Sequence, residues 1–200
     1  MFLGIRRWFS AKKLSLIATI KGNSFALRTI GVRVGEASRI YTRSFLGEPW
    51  LVSIGDRVTV APGVYFITHD ASSCLIQDEK GRRYRYARIT VGNDVFIGAN
   101  AIILPGVRIG NRVIVGAGSV VNRSIPDNCV VGGVPARFLR TFDEFERRGL
   151  ATFHSEAHKS GKTFREQVDG LRSRCRRVPE QCVRVFADSY SFLACFQARR

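Results

Sequence analysis

The sequence lacks the features that mark several large classes of protein. No apolar run approaches the roughly 18 residues of a membrane-spanning helix, and the patch LSLIATI at residues 14–20 is too short and begins too late for a secretion signal. The five cysteines are odd in number and include no C-x-x-C pair, which argues against a disulfide framework and against a zinc site. A reduced, cytoplasmic protein is therefore expected.

Acidic residues are also scarce, since 16 Asp and Glu stand against 32 Lys and Arg, giving a formal net charge of +16. Only residues 172–177 (RSRCRR) form a basic tract, and no aromatic residues alternate with it to stack on bases. A nucleic-acid partner is therefore not expected. Residues 1–40 hold eight basic residues and one acid, so peripheral contact with a membrane surface, at the inner face of the membrane, or with an anionic glycan remains an alternative.

What the sequence does contain is a repeat of six residues. Aliphatic side chains recur at Val91, Ile97, Ile103, Ile109, Val115 and Val121, and small or β-branched residues follow four positions after each, at Val95, Ala101, Val107, Val113, Ser119 and Ile125. Upstream, the same register holds at Ile54, Val60 and Phe66, and again at Val34, Ile40 and Leu46 with Ser38 and Ser44 in the second slots. A period of six suits a short strand followed by a tight corner, which predicts a parallel β-helix.

The repeat is interrupted twice and then ends. Polar residues separate Phe66 from Ile89, and a shorter break falls at Glu48-Pro49. We predict an amphipathic lead-in over residues 1–29, a β-helix over 30–140 with a protruding loop at 68–88, and a mainly helical extension over 141–200. The extension carries no pattern that indicates chemistry.

Two segments carry a family resemblance. ITVGNDVFIGANAIILPGVRIGNRVIVGAGSVVNRSIPDNCVVGGVPARFLR (residues 89–140) resembles the signature stretch of the hexapeptide-repeat acyltransferases, and FLGEPWLVSIGDRVTVAPGVYFITHD (residues 45–70) resembles the preceding segment of capsule-type members. The sugar and polysaccharide O-acetyltransferases, including the maltose, galactoside and nodulation enzymes, are the most similar group. The resemblance implies an all-β fold, a left-handed parallel β-helix with three hexapeptides per coil, assembled as a homotrimer.

His69 is the one histidine of the repeat region, at the start of the long loop in the motif I-T-H-D. Acyl transfer from a thioester to a hydroxyl needs a base for the hydroxyl proton, and histidine changes its protonation state near neutral pH. From spacing alone, a surface histidine without a catalytic role is an equal alternative. The resemblance implies that His69 is the general base.

The acceptor side is predicted from residues near His69. Asp70 either orients His69 or fixes the loop backbone. Glu48 lies 21 residues before His69, about one 18-residue coil, so its side chain is expected near His69, where it either binds acceptor hydroxyls or His69 or remains an exposed corner carboxylate. Trp50 either offers a flat face to a sugar or packs beneath the break.

Two departures from the family pattern concern the same side. Phe96 stands where sugar acetyltransferases often have tryptophan, which preserves an aromatic wall. The loop is unusually basic, with Arg88 and the nearby arginines Arg82, Arg83 and Arg85, alongside Tyr84 and Tyr86. These residues favour an anionic acceptor, such as an acidic polysaccharide or a nucleotide-linked sugar, unless the loop is merely solvated.

The donor side is implied by the resemblance, with acetyl-CoA as donor substrate and no metal. Small residues let a pantetheine arm approach the backbone at Ala99 and in the G-A-G-S turn at Ala117 and Gly118. The resemblance implies that the adenosine and phosphate end lies at Asn122, Arg123, Arg137 and Arg140. The planar guanidinium group suits a phosphate, and the alternative is that these are ordinary exposed arginines at the end of the coil.

These observations predict an acetyl-CoA-dependent O-acetyltransferase acting on a sugar or polysaccharide hydroxyl. N-acetylation of an amino sugar is one alternative, and a non-catalytic trimer that binds a polyanion is another. A carbonic anhydrase of the same fold would need three zinc-binding histidines, whereas the repeat region holds one.

Overall fold

The computed structural model describes residues 17–20, 22–156, 159, 161 and 163–175. The strands are β1 Arg33–Val34, β2 Arg39–Ile40, β3 Ser44–Leu46, β4 Val52–Ile54, β5 Thr59–Val60, β6 Tyr65–Ile67, β7 Gln77–Asp78, β8 Gly81–Arg82, β9 Ile89–Val91, β10 Phe96–Ile97, β11 Ile102–Ile103, β12 Arg108–Ile109, β13 Ile114–Val115, β14 Val120–Val121, β15 Cys129–Gly132 and β16 Arg137–Thr141. The helices are α1 Asn23–Thr29, α2 Phe142–Thr152 and α3 Phe164–Cys175. Residues 17–20 are also helical.

Fourteen of the strands form three sheets, which the chain visits in fixed rotation from β1 to β14. Sheet 1 has the order β1-β4-β9-β12, sheet 2 the order β2-β5-β10-β13-β15-β16, and sheet 3 the order β3-β6-β11-β14. Within these three sheets, all pairings are parallel except that of β15 with β16. Because each turn of the chain adds one strand to each sheet, the fold is a parallel β-helix, which confirms the prediction from the six-residue period.

The repeating aliphatic residues form the core. Val91, Ile97, Ile103, Ile109, Val115 and Val121 are at most 5% exposed, and the residues four positions later are buried as well. Each buried aliphatic side chain contributes on the order of 1.5–3 kcal/mol to folding. Ser119, the one polar residue in that series, is accommodated because its hydroxyl donates to the Gly116 carbonyl at 2.7 Å and accepts from the Gly133 N–H at 3.2 Å.

The predicted register of the first coil is wrong at its third strand. Phe45, not Leu46, pairs with Phe66, and the two rings stack with centroids 5.0 Å apart. Ser44 pairs with the exposed Tyr65, and the buried polar residue is instead Thr42, whose hydroxyl donates to the Val64 carbonyl at 2.7 Å. The physical reason is that an aromatic stack and a satisfied hydroxyl fill the coil better than the exact six-residue spacing.

Polar side chains connect the coils at the corner between sheets 1 and 2. We call Asp56, Asn93, Asn111 and Asp127 the corner ladder. The side-chain oxygen of each accepts a backbone N–H from the coil before it, at 2.8–2.9 Å. Each coil therefore satisfies backbone donors that the tight corner leaves without a partner in the strands.

The long interruption lies outside the stacked strands. Phe96 pairs with Ile114, 18 residues later, but Val60 pairs with Ile97, 37 residues later. The inserted residues form a short 3-10 turn, Ala71–Leu75, and the antiparallel hairpin β7–β8, and most of them are exposed.

The described residues fall into two compact units divided after Asp143. In the first, Leu27 of α1 belongs to the β-helix core, and the Arg28 guanidinium donates to the Val34 carbonyl. The β-helix unit thus extends upstream of the predicted boundary at residue 30.

In the second unit, α3 begins with a capping box in which the side chains of Thr163 and Glu166 each accept the other's backbone N–H at 3.2 Å. The predicted extension after residue 175 and the lead-in before residue 17 lie outside the described residues, as do part of the 172–177 tract and the apolar stretch 183–196. None of the helices among the described residues has the length and apolar character needed to cross a bilayer.

Candidate active site

Glu48 and His69 meet at the corner between sheets 3 and 1. β3 and β6 are neighbours in sheet 3, so the residues that follow them are stacked one coil apart. The His69 Nδ1 atom lies 3.1 Å from Glu48 Oε2. The spacing of 21 residues predicts this proximity, and the structure shows the contact.

The contact orients the imidazole ring. A carboxylate accepts hydrogen bonds, so Nδ1 carries the proton and Nε2 keeps its lone pair, a tautomer assigned from the partner. Within the described part of the chain, no group is bonded to Nε2. The His69 side chain is 35% exposed and that of Glu48 19%, so the carboxylate is the more shielded of the two groups.

Thr68 and Gly47 complete this arrangement, and sequence reasoning missed both. The Thr68 hydroxyl donates to Glu48 Oε2 at 2.8 Å and accepts the Glu48 N–H at 3.3 Å. A Cβ on Gly47 would lie 2.5 Å from His69 Nδ1, so only glycine leaves room for the ring. The signal available in the sequence was position, since both residues adjoin the two that were selected.

Asp70 makes the contacts of a loop-fixing residue. Its carboxylate accepts the Ser72 N–H at 3.1 Å and the Ser72 hydroxyl at 2.6 Å, at the start of the 3-10 turn. These bonds, with the Ser72 hydroxyl first, hold the pKa of Asp70 below its usual range, and Arg85 at 3.7 Å adds to the effect.

The hairpin after His69 brings aromatic rings to the site. Tyr86 forms a backbone bridge with His69, and the two rings are 6.0 Å apart. Tyr84 stacks against Tyr86 at 6.2 Å, and the guanidinium of Arg82 lies 5.0 Å from the centre of the Tyr84 ring. Arg88 is exposed just after this row.

Trp50 and Phe96 are both open to solvent but differ in position. Trp50, in the turn Pro49–Leu51 that follows Glu48, is 58% exposed. Phe96 is 45% exposed on sheet 2, whereas His69 lies at the corner between sheets 3 and 1. One chain therefore does not bring Phe96 to His69.

The predicted donor residues fall on two corners. Ala99 and Ala117 follow β10 and β13, and the Gly118 N–H donates to the Ala99 carbonyl at 2.8 Å, so these small residues stack in a column between sheets 2 and 3. Asn122 and Arg123 follow β14, two strands from β6 in sheet 3, which places them about 10 Å along the corner that holds His69.

A groove of 370 Å³ at the end of the coil contains three of the four residues assigned to the phosphate end. Asn122, Arg123 and Arg137 line it. Arg140 lies in β16 opposite Val130 and is not among the lining residues. Cys129 also lines the groove, and burial raises the pKa of its thiol, as expected of a small apolar side chain. Across the described residues, no group of three His, Cys, Asp or Glu side chains is arranged to hold a metal ion.

Comparison with known proteins relates this geometry to a family. The family model "Bacterial transferase hexapeptide (six repeats)" matches residues 88–123. Protein CapG of Staphylococcus aureus is 45% identical over 127 residues, which cover 62% of this chain and 74% of that protein. Galactoside O-acetyltransferase of Escherichia coli K12 is 38% identical over 103 residues, covering 50% of this chain, and the chain spans only 49% of that enzyme.

A solved structure agrees with these matches. A hexapeptide-repeat acetyltransferase of Vibrio cholerae, crystallised in complex with acetyl coenzyme A, superposes with a TM-score of 0.55 at 27% identity, over 66% of this chain and 85% of its own. The repeat, the parallel coil and the similarity to most of CapG together show that the chain belongs to the hexapeptide-repeat acyltransferase family.

Proposed function

We propose that this protein transfers an acetyl group from acetyl-CoA to a hydroxyl of a sugar or polysaccharide, with His69 as general base. The observation that carries the proposal is the contact of His69 Nδ1 with Glu48 at 3.1 Å, which orients the ring so that Nε2 of the neutral imidazole can accept a proton. The similarity to galactoside O-acetyltransferase supports the choice of a sugar hydroxyl.

In the proposed reaction, Nε2 takes the hydroxyl proton as the acceptor oxygen attacks the thioester carbon. The tetrahedral intermediate then collapses, the C–S bond breaks, and the thiolate leaves as the imidazolium returns the proton. Glu48 stabilises the transient imidazolium, as a carboxylate does in other orienting pairs. Backbone N–H groups near the thioester stabilise the oxyanion, and no acyl-enzyme forms.

The donor is placed along the column of small residues, Ala99, Ala117 and Gly118, whose lack of bulk admits a pantetheine arm. The groove at Asn122, Arg123 and Arg137 would receive the phosphates of the nucleotide, with Arg140 nearby on β16. The acetyl-CoA complex of the Vibrio cholerae neighbour supports this donor.

We further infer a left-handed coil and a homotrimer in which sites lie between subunits. The separation of Phe96 from His69 within one chain supports the assembly, because a neighbouring subunit could supply the aromatic wall that one chain does not. Equilibrium sedimentation tests the assembly, and a mass of one chain would contradict it.

Thiol release from acetyl-CoA, measured over a panel of sugars, oligosaccharides and amines, tests the function. We expect turnover with a hydroxyl acceptor and a loss of at least about a hundredfold in kcat for His69→Ala. His154→Ala removes an imidazole outside the β-helix unit and serves as the control, with activity near wild type. Equal turnover by His69→Ala and wild type would overturn the proposal, and turnover with amines alone would assign N-acetylation instead.

A further inference from the structure

We propose that the acceptor is a saccharide that carries negative charge, and that Tyr86, Tyr84 and Arg82 bind it in sequence away from His69. This inference rests on the function proposed above and specifies its substrate class. We call the two tyrosines the tyrosine platform.

The platform begins beside the proposed base. Three successive steps lead away from the imidazole: 6.0 Å from His69 to Tyr86, 6.2 Å from Tyr86 to Tyr84, and 5.0 Å from the Tyr84 ring to the Arg82 guanidinium. The two tyrosine planes are within 10° of parallel, and the residues are 54% and 63% exposed. The exposed parts of these aromatic rings offer apolar surface against which a pyranose ring can pack, so a sugar whose hydroxyl reaches Nε2 would meet Tyr86 first and Tyr84 next.

The arginines of the loop are not equivalent. Arg83 forms an ion pair with Asp78, and Arg85 lies 3.7 Å from the Asp70 carboxylate, so both charges are largely offset. At the hairpin turn, Lys80 adjoins the acidic Glu79 in the sequence.

Arg82 and Arg88, by contrast, have no carboxylate partner within the described part of the chain. Arg82 is held over the outer ring of the platform, where its planar donors remain open to a carboxylate or phosphate. An uncompensated cation at the far end of the platform favours an acceptor with negative charge about two rings from the reacting hydroxyl.

Two sources share this chemistry, an acidic polysaccharide and a nucleotide-linked sugar. An anionic membrane surface is a different partner for the same loop, since Leu75 and Ile76 are 84% and 63% exposed. The saccharide is favoured because the row of rings starts at the base, whereas Leu75 and Ile76 lie in and just after the 3-10 turn, before the first strand of the hairpin.

Isothermal titration of the full chain, without acetyl-CoA, tests the inference independently of turnover. The probes are a tetramer of galacturonic acid, the neutral galactose tetramer, UDP-galactose and phosphatidylglycerol vesicles. We expect one of the two anionic saccharide probes to bind at least about tenfold more tightly than the neutral tetramer, and the stronger of these two identifies the source.

Arg82→Gln should weaken binding of that anionic probe about tenfold and leave the neutral tetramer unchanged, whereas Tyr86→Ala should weaken both. Lys80→Gln removes the same charge from the same hairpin and should bind like wild type. Equal affinity for neutral and anionic probes would overturn the inference, as would an Arg82→Gln effect confined to phosphatidylglycerol vesicles. Thiol release with neutral sugars alone would also overturn it while leaving the proposed function intact, and absence of thiol release with every acceptor would defeat the function itself.

Discussion

Glu48 touches His69 through a single carboxylate oxygen, and that oxygen also accepts the Thr68 hydroxyl. The amide of a glutamine at position 48 could present its N–H₂ to Nδ1, which would place the imidazole proton on Nε2 and remove the base. We therefore expect Glu48→Gln to lower kcat by at least about tenfold while the KM for acetyl-CoA stays unchanged.

Asp70→Asn is the matched control for that variant. Asp70 adjoins His69 in sequence, but its carboxylate bonds to Ser72. The kcat of Asp70→Asn should remain near that of wild type, and the pH profile of kcat should change for Glu48→Gln only. A similar loss of kcat in both variants would contradict a specific role of Glu48 in orienting the His69 ring.

Gly47 and Gly81 allow a second comparison at single residues. Their φ angles are +88° and +89°, so alanine would strain the backbone alike, by roughly 1–2 kcal/mol. Only at Gly47 does a Cβ meet a neighbour, the His69 ring, whereas at Gly81 nothing lies within 4 Å.

We expect Gly47→Ala to lower kcat about a hundredfold, because a displaced base no longer reaches the hydroxyl, and Gly81→Ala to remain close to wild type. Thiol release and thermal unfolding of both variants measure this. Equal kcat values would mean that the ring adapts to the added methyl group.

Sequence reasoning selected His69 and Glu48 because the former is the one histidine of the repeat and the latter lies about one coil away. It could not select Gly47 or Thr68, because a close approach of 2.5 Å and a shared hydroxyl are properties of packing. Nor could it tell Arg82 from Arg83, which differ in the partners that the folded hairpin gives them.

Through Asp127, the corner ladder makes one contribution to the pH dependence of stability. The N–H groups of Asn111, backbone first and then side chain, lower the pKa of Asp127, so its charged form stabilises the folded state. That contribution to stability is complete above the pKa of the carboxyl in the unfolded state, about 3.9. It is lost as the pH falls through the lower pKa of the folded state.

Asp127→Asn cannot titrate, so its melting temperature should fall less steeply than that of wild type between about pH 5 and pH 3. At pH 7 the variant should melt slightly lower, because a neutral amide oxygen accepts more weakly than a carboxylate. Glu79→Gln, in the exposed hairpin turn, controls for net charge and should follow wild type. Identical slopes for all three proteins would contradict the role of the ladder.

For the strands, the six-residue period predicted the coils and their buried side chains correctly, because each strand of the coil points one aliphatic side chain of the repeat inward. It failed at β3, where the segment from Ile40 to Phe45 is one residue shorter than the period. A period read from the sequence is an average over all coils. It therefore does not detect a single coil in which an aromatic stack shortens the spacing.

For the molecule as a whole, the net charge is +16, and we assign an anionic ligand to some of the basic side chains that produce it. Arg123 and Arg137 line the end groove, where we place the nucleotide phosphates. The double variant Arg123→Gln/Arg137→Gln should raise the KM for acetyl-CoA by about tenfold or more, since charge-assisted hydrogen bonds to phosphate would be lost.

The 3′-dephospho form of acetyl-CoA distinguishes specific contact from general attraction. With it, the double variant and wild type should differ less in KM. Arg39→Gln, on β2 at the opposite end of sheet 2, removes an exposed charge far from the groove and should change neither constant. An equal rise in KM for both donors would place the 3′-phosphate elsewhere.

The pairing of Val60 with Ile97 across 37 residues, where the regular coil from Phe96 to Ile114 spans 18, also has a consequence for how such proteins diversify. Doubling the length of a closed segment costs only about 0.6 kcal/mol of chain entropy, and here the strands on both sides keep their register. The hairpin is therefore an insertion that can change without altering the stacked strands. If the acceptor binds at this hairpin as we propose, replacing the hairpin would change the acceptor while the coils on which we place the donor keep their structure.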